Sequence, residues 1–263
     1  MPAPDLGPPP AHTTSDRPLF VHLLPALVDP GTLKGGVVIM IDALRASVTI
    51  AAALASGANC VLPVLTVEDA KTRLERLLEQ GAARSRIILG GERGGVLIPG
   101  FDLDNSPLAY TPEKVRGKDV IFTTANGTST LLHASQAAKI LIGALTNVSA
   151  VCKEVAEDDR PVHIICSGTR GEISLDDCLA AGAIAERLVP AGRGFGSDDS
   201  GLVCINLWRE AQRTGLIEAM RSSRGGRNLG RLGFDADIRL CSAVDAINLL
   251  PVFDPAQGRI TLR

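Results

Sequence analysis

A chain of 263 residues is long enough to bury a large core, and at 45% hydrophobic but only 3% aromatic that core has to be built from Val, Ile, Leu and Ala. A formal net charge of −2 at pH 7, with no basic surplus and no aromatic platform, argues against nucleic acid as a partner. No apolar run reaches the ~18–20 residues that cross a bilayer, so no membrane span is expected.

Residues 1–18 are rich in Pro and polar side chains and carry no apolar signal core. They are expected to form a disordered extension on a cytoplasmic protein, ahead of a single α/β domain over residues 19–263. Residues 19–24 read as a first strand and 25–36 as a turn-rich connection. Val37-Val38-Ile39-Met40-Ile41 is a continuous apolar run, the mark of a strand buried on both faces. An Ala-rich helix over 46–56 follows, ended by Gly57. Residues 60–65 form the next strand. Thr66 with Asp69 three residues on resembles a capping box, opening an amphipathic helix to Gln80.

Residues 87–89 and 120–122 are further strands. The long segment between them, 90–117, mixes Gly, Pro and apolar residues and is expected to be an ordered, functional loop. Helix 128–135, strand 140–142, helix 147–156, strand 162–166 and helix 174–188 follow. A flexible break at 194–201 precedes a helix over 202–214. Residues 222–233 are Gly- and Arg-rich and receive no element; a helix is expected within 234–246 and a strand at 259–262. This alternation predicts an α/β fold, a three-layer α/β/α sandwich with a mostly parallel or mixed central sheet. Six scattered cysteines (60, 152, 166, 178, 204 and 241) with no C-x-x-C pair read as reduced buried thiols, not a zinc site.

Several apolar runs stop at loops that pair an acidic or amide residue with Arg and Gly. They are Asp42-Ala43-Leu44-Arg45, Gly90-Gly91-Glu92-Arg93-Gly94-Gly95, Thr123-Thr124-Ala125-Asn126-Gly127-Thr128 and Ser167-Gly168-Thr169-Arg170-Gly171. In an open α/β sheet, loops at the carboxyl ends of strands converge on one crevice. Carboxylates there suit a hard divalent cation, and Arg with Gly-freed N–H groups suits phosphate-like anions. The repeated pattern predicts an anionic substrate with a metal.

Each candidate has a plainer reading beside it. Asp42, ending a buried strand, can hold a metal or attack phosphorus, and Arg45 adds to the anion-binding field of the next helix; an N-cap aspartate and a surface arginine explain them equally. Glu92 and Arg93 among four glycines favour close ligand approach over a solvated ion pair on a turn. Asp102, Asp104, Asn105 and Ser106 offer carboxylates, an amide and a hydroxyl, although Asn-Ser-Pro is also turn sequence. Pro99-Gly100 ahead of Asp102 excludes the Asp-x-Asp phosphatase arrangement, which follows its strand directly. Asn126 and Thr128 could donate to phosphate oxygens, or Asn-Gly could be only a turn. Three residues separate Cys166 from Arg170, too few for a cysteine-phosphatase loop, so Cys166 is a strand residue and Arg170 an anion clamp. Asp176 and Asp177 fall in a first helical turn, where the macrodipole alone accounts for acids. His133 and His163 read as packing or surface residues.

Together these segments resemble the 2-phosphosulfolactate phosphatase family. The resemblance is carried by Ile41-Asp42-Ala43-Leu44-Arg45-Ala46-Ser47, Gly91-Glu92-Arg93-Gly94-Gly95 and Gly100-Phe101-Asp102-Leu103-Asp104-Asn105-Ser106-Pro107. Thr123-Thr124-Ala125-Asn126-Gly127-Thr128, Ser174-Leu175-Asp176-Asp177 and Ala181-Gly182-Ala183 add to it. It runs over residues 37–188, with a weaker match over 221–252. Ala43 and Ala125 depart from residues common in the family, and the Pro-rich tail lies outside it. The resemblance implies an α/β/α sandwich and a Mg²⁺-dependent enzyme of coenzyme M biosynthesis. Its substrate would be a small anionic phosphomonoester, 2-phospho-3-sulfolactate, hydrolysed to 3-sulfolactate and phosphate.

Residues and resemblance together make Asp42, Arg45, Glu92, Arg93 and Asp177 the catalytic candidates. Asn105, Ser106, Asn126, Thr128, Arg170 and Arg227 are the substrate-binding candidates, and Asp42, Glu92, Asp102 and Asp177 the candidates for Mg²⁺. Few His and no paired Cys beside many carboxylates point to a hard-oxygen metal. Attack on phosphorus by water is favoured over attack by Asp42, which also looks needed as a ligand. The competing class is a non-catalytic anion- or nucleotide-binding α/β domain. Carboxylates beside the anion clamps speak against it, and no Gly-x-Gly-x-x-Gly follows the first strands. A homo-oligomer is left open.

Overall fold

The computed structural model describes residues 15–196 and 198–263. Most of the expected N-terminal extension, residues 1–14, lies outside the described residues. Ser15 donates to the Gly192 carbonyl (3.0 Å) and Arg17 to that of Asp158 (3.2 Å). Pro18 begins β1 (Pro18–His22).

β2 (Val37–Ile41) is buried along its whole length and feeds through residues 42–45 into α1 (Ala46–Ala55). β3 (Cys60–Pro63) and α2 (Val67–Glu79) follow, with Thr66 and Asp69 forming the reciprocal cap their spacing predicts. β4 (Ile87–Arg93) is longer than its apolar run. It continues through Gly90-Gly91 to Glu92 and Arg93, which pair with β5 (Val96–Leu97) across a Gly94–Gly95 turn. The reason lies in the next strand: at Gly91 (φ +143°) a Cβ would stand 2.0 Å from the Thr123 carbonyl oxygen. That glycine serves close approach of two strands instead of ending one.

α3 (Pro112–Val115), β6 (Asp119–Thr123), α4 (Gly127–His133), β7 (Lys139–Gly143), α5 (Val148–Val155) and β8 (Val162–Cys166) come next. α6 (Leu175–Leu188) is followed by β9 (Gly194–Phe195), which pairs with β1 inside the segment read as a flexible break. The C-terminal part holds α7 (Ser200–Thr214), α8 (Leu216–Ser222), α9 (Arg224–Arg231) and α10 (Asp235–Cys241). The hairpin of β10 (Pro251–Asp254) and β11 (Arg259–Leu262) closes the fold.

All eleven strands join one mixed sheet, ordered β5-β4-β6-β3-β11-β10-β7-β2-β8-β1-β9. It contains two parallel blocks, β4-β6-β3 and β7-β2-β8-β1-β9, with the C-terminal hairpin antiparallel between them. Three antiparallel junctions in a row leave the two blocks running in opposite directions. Strand twist of roughly 20–25° per neighbour turns the sheet through on the order of 100° over the five steps from β6 to β2.

The burial pattern fits that curvature. Val37, Ile39 and Ile41 face α5, α6 and α7 in one core cluster. Val38 and Met40 point the other way, into a second cluster shared with Ile50 and Ala53 of α1, Ile88 of β4, and Val120 and Phe122 of β6. α1, with nine of its ten residues buried, packs within this shared core between the blocks. Leu62, Leu89 and Ile121 complete a third cluster under Ala70 of α2. Helices thus cover both faces of the sheet, giving the α/β sandwich. All six cysteines are buried and unpaired. Among the described residues no helix is long and apolar enough to cross a membrane.

Candidate active site

A cavity of about 430 Å³ opens where the ends of both parallel blocks meet α9. Asp42 and Arg45 enter it from the loop after β2, Glu92 and Arg93 from the end of β4, and Asn126 from the loop after β6. Asn105 and Arg170 complete that side, and α9 covers it with Arg224, Asn228 and Arg231.

Asp42 is buried at the tip of β2, its Oδ1 accepting from the Ala46 N–H (3.3 Å) at the start of α1. A Cβ on Gly127 would stand 2.8 Å from Asp42 Oδ2, so glycine is needed for the loop after β6 to close on this carboxylate. Burial pushes the Asp42 carboxyl up to about 7, with Asp176 and Glu92 adding to the rise and the Ala46 and Gly127 N–H groups opposing it. Glu92 spans the cavity wall: Oε2 accepts from the Gly95 N–H (2.7 Å) and Oε1 from the Ala125 N–H (3.0 Å). Arg93 donates to the carbonyls of Glu92 (2.7 Å) and Leu65 (3.1 Å) and to Thr123 Oγ1 (2.9 Å). Its guanidinium is thereby fixed along the β4–β6 edge.

Arg45 follows Leu44 through a cis peptide bond and is buried. Its Nη1 donates to Asp237 Oδ2 (2.6 Å), its Nη2 to the Gly95 carbonyl (3.0 Å), and the guanidinium carbon lies 4.4 Å from the centroid of the Phe234 ring. Ser106 Oγ donates to the other oxygen of Asp237 (2.7 Å). The Asp237–Arg45 pair therefore ties α10 to the loop after β2, with Arg45 reaching the β4–β5 turn and Asp237 the loop before α3.

Asp177 does not line the cavity. Its Oδ1 accepts from the Ala43 N–H and its Oδ2 from the Gly168 N–H, both at 2.8 Å, so it staples the loops after β2 and β8 from behind. Burial holds its carboxyl well above the usual range, with Asp176 and Asp42 adding to the rise. Asp176 accepts from Ser174 Oγ (2.7 Å), and its oxygens lie 3.5–3.6 Å from where a Cβ on Gly225 would stand, under the first turn of α9. Its carboxyl is also raised by burial.

Arg170 is exposed, with its backbone in the left-handed region (φ 55°) and its N–H donating to Asn126 Oδ1 (3.1 Å). Thr128 and Ser106 are buried behind the cavity wall. Two sequence candidates stand apart. Asp102 accepts from the Leu89 N–H (2.8 Å) and pairs with Arg84 (2.9 Å), away from the cavity. Arg227 donates to the Ser222 carbonyl and lines an adjoining groove. Sequence reasoning missed Arg224, Asn228, Arg231 and Asp237. A signal existed for the arginines: 224, 227 and 231 repeat at i, i+3 and i+7, one stripe of a helix.

The donor chemistry suits a hard cation. The buried carboxylates of Asp42 and Glu92 line the cavity, with Asp176 and Asp177 buried outside it, while the buried Arg45 is neutralised by Asp237. Asn105 Oδ1 and Thr124 Oγ1 are buried without a hydrogen-bond partner, and Asn105 lines the cavity. An unpartnered amide oxygen near carboxylates is a donor set for Mg²⁺. Among the described residues no three His, Cys, Asp or Glu side chains gather as a ready-made cage. A cation here would rest on one or two carboxylates together with substrate oxygens, as Mg²⁺ commonly does.

Fold and cavity define an α/β protein that sets buried carboxylates against arginines in one cavity. The family described as 2-phosphosulpholactate phosphatase matches residues 22–255, and the chain belongs to that family. A relative from Symbiobacterium thermophilum, named a probable 2-phosphosulfolactate phosphatase, is 40% identical over 88% of this chain and 95% of its own length. Relatives of the same name from Caldanaerobacter subterraneus subsp. tengcongensis and Synechococcus sp. are 41% and 39% identical, over 83% and 84% of this chain and 88% and 90% of theirs. The chain is accordingly an enzyme of the phosphoric monoester hydrolase class.

Proposed function

We propose that this enzyme hydrolyses 2-phospho-3-sulfolactate, or a similar phosphorylated hydroxy acid, to 3-sulfolactate and phosphate in a Mg²⁺-dependent reaction. The observation that carries this reading is a single cavity whose walls hold Asp42 and Glu92 together with Arg170, Arg224 and Arg231. The name borne by the curated relatives supports the choice of substrate. Such a molecule carries phosphate, sulfonate and carboxylate, and a chain of net charge −2 has to balance them locally. Six unpaired cysteines support a reducing, cytoplasmic setting.

Asp42, Glu92 and the Asn105 amide oxygen would hold the cation. When bound, Mg²⁺ neutralises charge on the phosphoryl oxygens and makes water a better nucleophile. Arg170 clamps the phosphoryl group from the loop after β8, its position set by the bond to Asn126. Arg93 orients Glu92 through the Glu92 carbonyl. Water is the attacking group. The Cys166 thiol is fully buried, off the cavity, and raised well above its ordinary range by its contact with Cys178 and by burial.

Phosphate release from a panel of phosphomonoesters, with Mg²⁺ or with EDTA, tests the reading. Turnover of 2-phospho-3-sulfolactate that stops on chelation and returns with Mg²⁺ is expected. Undiminished turnover after exhaustive chelation, or no release from any ester, would refute it.

A further inference from the structure

The five arginines that line the cavity are not equally available to a ligand. Arg45 is paired with Asp237 and Arg224 with Glu172, while Arg93 is committed to main-chain and Thr123 oxygens. Arg170 and Arg231 have no carboxylate partner among the described residues. Arg231 Nη2 makes a single long bond, to Asn228 Oδ1 (3.3 Å).

These two cations sit at different ends of the site. Arg170 is joined to Asn126, on the side where Gly127 meets Asp42. Arg231 closes α9, seven residues beyond Arg224 and so about 10 Å farther along the helix axis. A groove of about 700 Å³ adjoins the cavity along α9, lined by Arg221, Arg224, Arg227 and Arg231 over Gly226 and Gly230. Asn228, which accepts from Arg231, donates to the Gly94 carbonyl (3.3 Å), linking this end of α9 to the turn that follows Glu92.

We propose that Arg231 is the specificity-determining contact for the sulfonate of the substrate; the assignment rests on the phosphatase reading above. In 2-phospho-3-sulfolactate the carboxylate is attached to the carbon that bears the phosphate. The sulfonate is one carbon farther out and is the anion that can reach a separate clamp. It stays ionised across the physiological pH range and presents three oxygens to a planar, weakly hydrated guanidinium. Arg231 can meet it without breaking an ion pair, which Arg45 and Arg224 cannot. Arg227, outside the cavity, contributes field but no contact.

The test compares kcat/KM for 2-phospho-3-sulfolactate and for 2-phospholactate, which lacks the sulfonate, in the full chain and in Arg231→Gln, Arg231→Lys and Arg227→Gln. Loss of one charge-assisted contact is expected to lower the sulfonated-to-unsulfonated ratio roughly 10- to 100-fold in Arg231→Gln, mainly through KM. Arg231→Lys should recover part of the loss, and Arg227→Gln should change the ratio far less. An unchanged ratio in Arg231→Gln, or equal effects of Arg227→Gln and Arg231→Gln, would overturn the assignment. If the wild type hydrolyses neither ester, the phosphatase reading fails by itself, and calorimetric titration with 3-sulfolactate against lactate then tests the subsite. Weaker 3-sulfolactate binding by Arg231→Gln supports Arg231 as the clamp; equal binding overturns it.

Discussion

Replacing Asp237 with alanine removes the carboxylate that neutralises Arg45 inside the fold. The two side chains are 2% and 1% exposed, and their 2.6 Å contact is shielded from water. Breaking a buried pair by deleting one partner costs about 3–5 kcal/mol, because the remaining charge is left uncompensated. Ser106 also loses its acceptor, worth about 1 kcal/mol more. Against a typical domain stability of about 5–15 kcal/mol the expected loss is a large fraction. Equilibrium urea unfolding, at constant m-value, measures it directly. Asp237→Asn, which keeps an acceptor for Ser106 but not the charge, should lose less. Because Arg45 also holds the Gly95 carbonyl, and Gly95 donates to Glu92, both variants should lower kcat/KM as well. An Asp237→Ala variant within ~1 kcal/mol of wild type would refute the reasoning, since Arg45 would then be compensated by something other than this pair.

Arg170→Asn keeps a residue tolerant of the left-handed backbone while removing the guanidinium. It should lower kcat/KM by ~10²-fold or more with kcat bearing the loss; a rise in KM alone would mean that Arg170 holds only the ground state. His163 offers a pH prediction away from the site. Burial, with His22 alongside (3.1 Å), holds its imidazole down at about 4. The unfolded chain therefore binds a proton near pH 6.5 that the folded chain refuses, so this contribution to stability is intact above about 6.5 and is lost as pH falls toward 4. Wild type should lose on the order of 2 kcal/mol more than His163→Gln between pH 7 and 4.5; parallel profiles would contradict it.

Much of the site is legible in the sequence because a strand buried on both faces leaves an unbroken apolar run, and the residues just after such a run sit at a sheet edge. Asp42, Asn126 and Arg170 are found this way and share one cavity. Glu92 is found as well, although it lies on β4 and not in a loop, since Gly90-Gly91 breaks the apolar pattern without ending the strand. α9 is hidden for a different reason. Arg-Gly-Gly-Arg-Asn-Leu-Gly-Arg has three glycines and little helix propensity. Its helix depends on the Ser223 cap and on close packing: a Cβ on Gly226 would stand 2.1 Å from the Met220 carbonyl oxygen. Spacing likewise cannot tell that Asp102 binds Arg84 while Asp237, far along the chain, reaches Arg45. Nor does it reveal that the C-terminal hairpin reverses one half of the sheet.

The most direct test is the activity of Asp42→Asn on 2-phospho-3-sulfolactate with Mg²⁺. Asparagine keeps the shape and one acceptor oxygen but removes the negative charge and sets its NH2 against one of the two N–H groups, of Ala46 and Gly127, from which the carboxylate accepts. Loss of at least ~10²–10³-fold in kcat/KM is expected. Because burial raises the Asp42 carboxyl to about 7, its charge is costly to the folded, metal-free chain above that pH. Metal-free Asp42→Asn should therefore be at least as stable as wild type at pH 8, which separates lost chemistry from lost folding. Wild-type turnover by a folded Asp42→Asn enzyme would contradict the account, because the carboxylate at the tip of β2 would then have no part in the reaction.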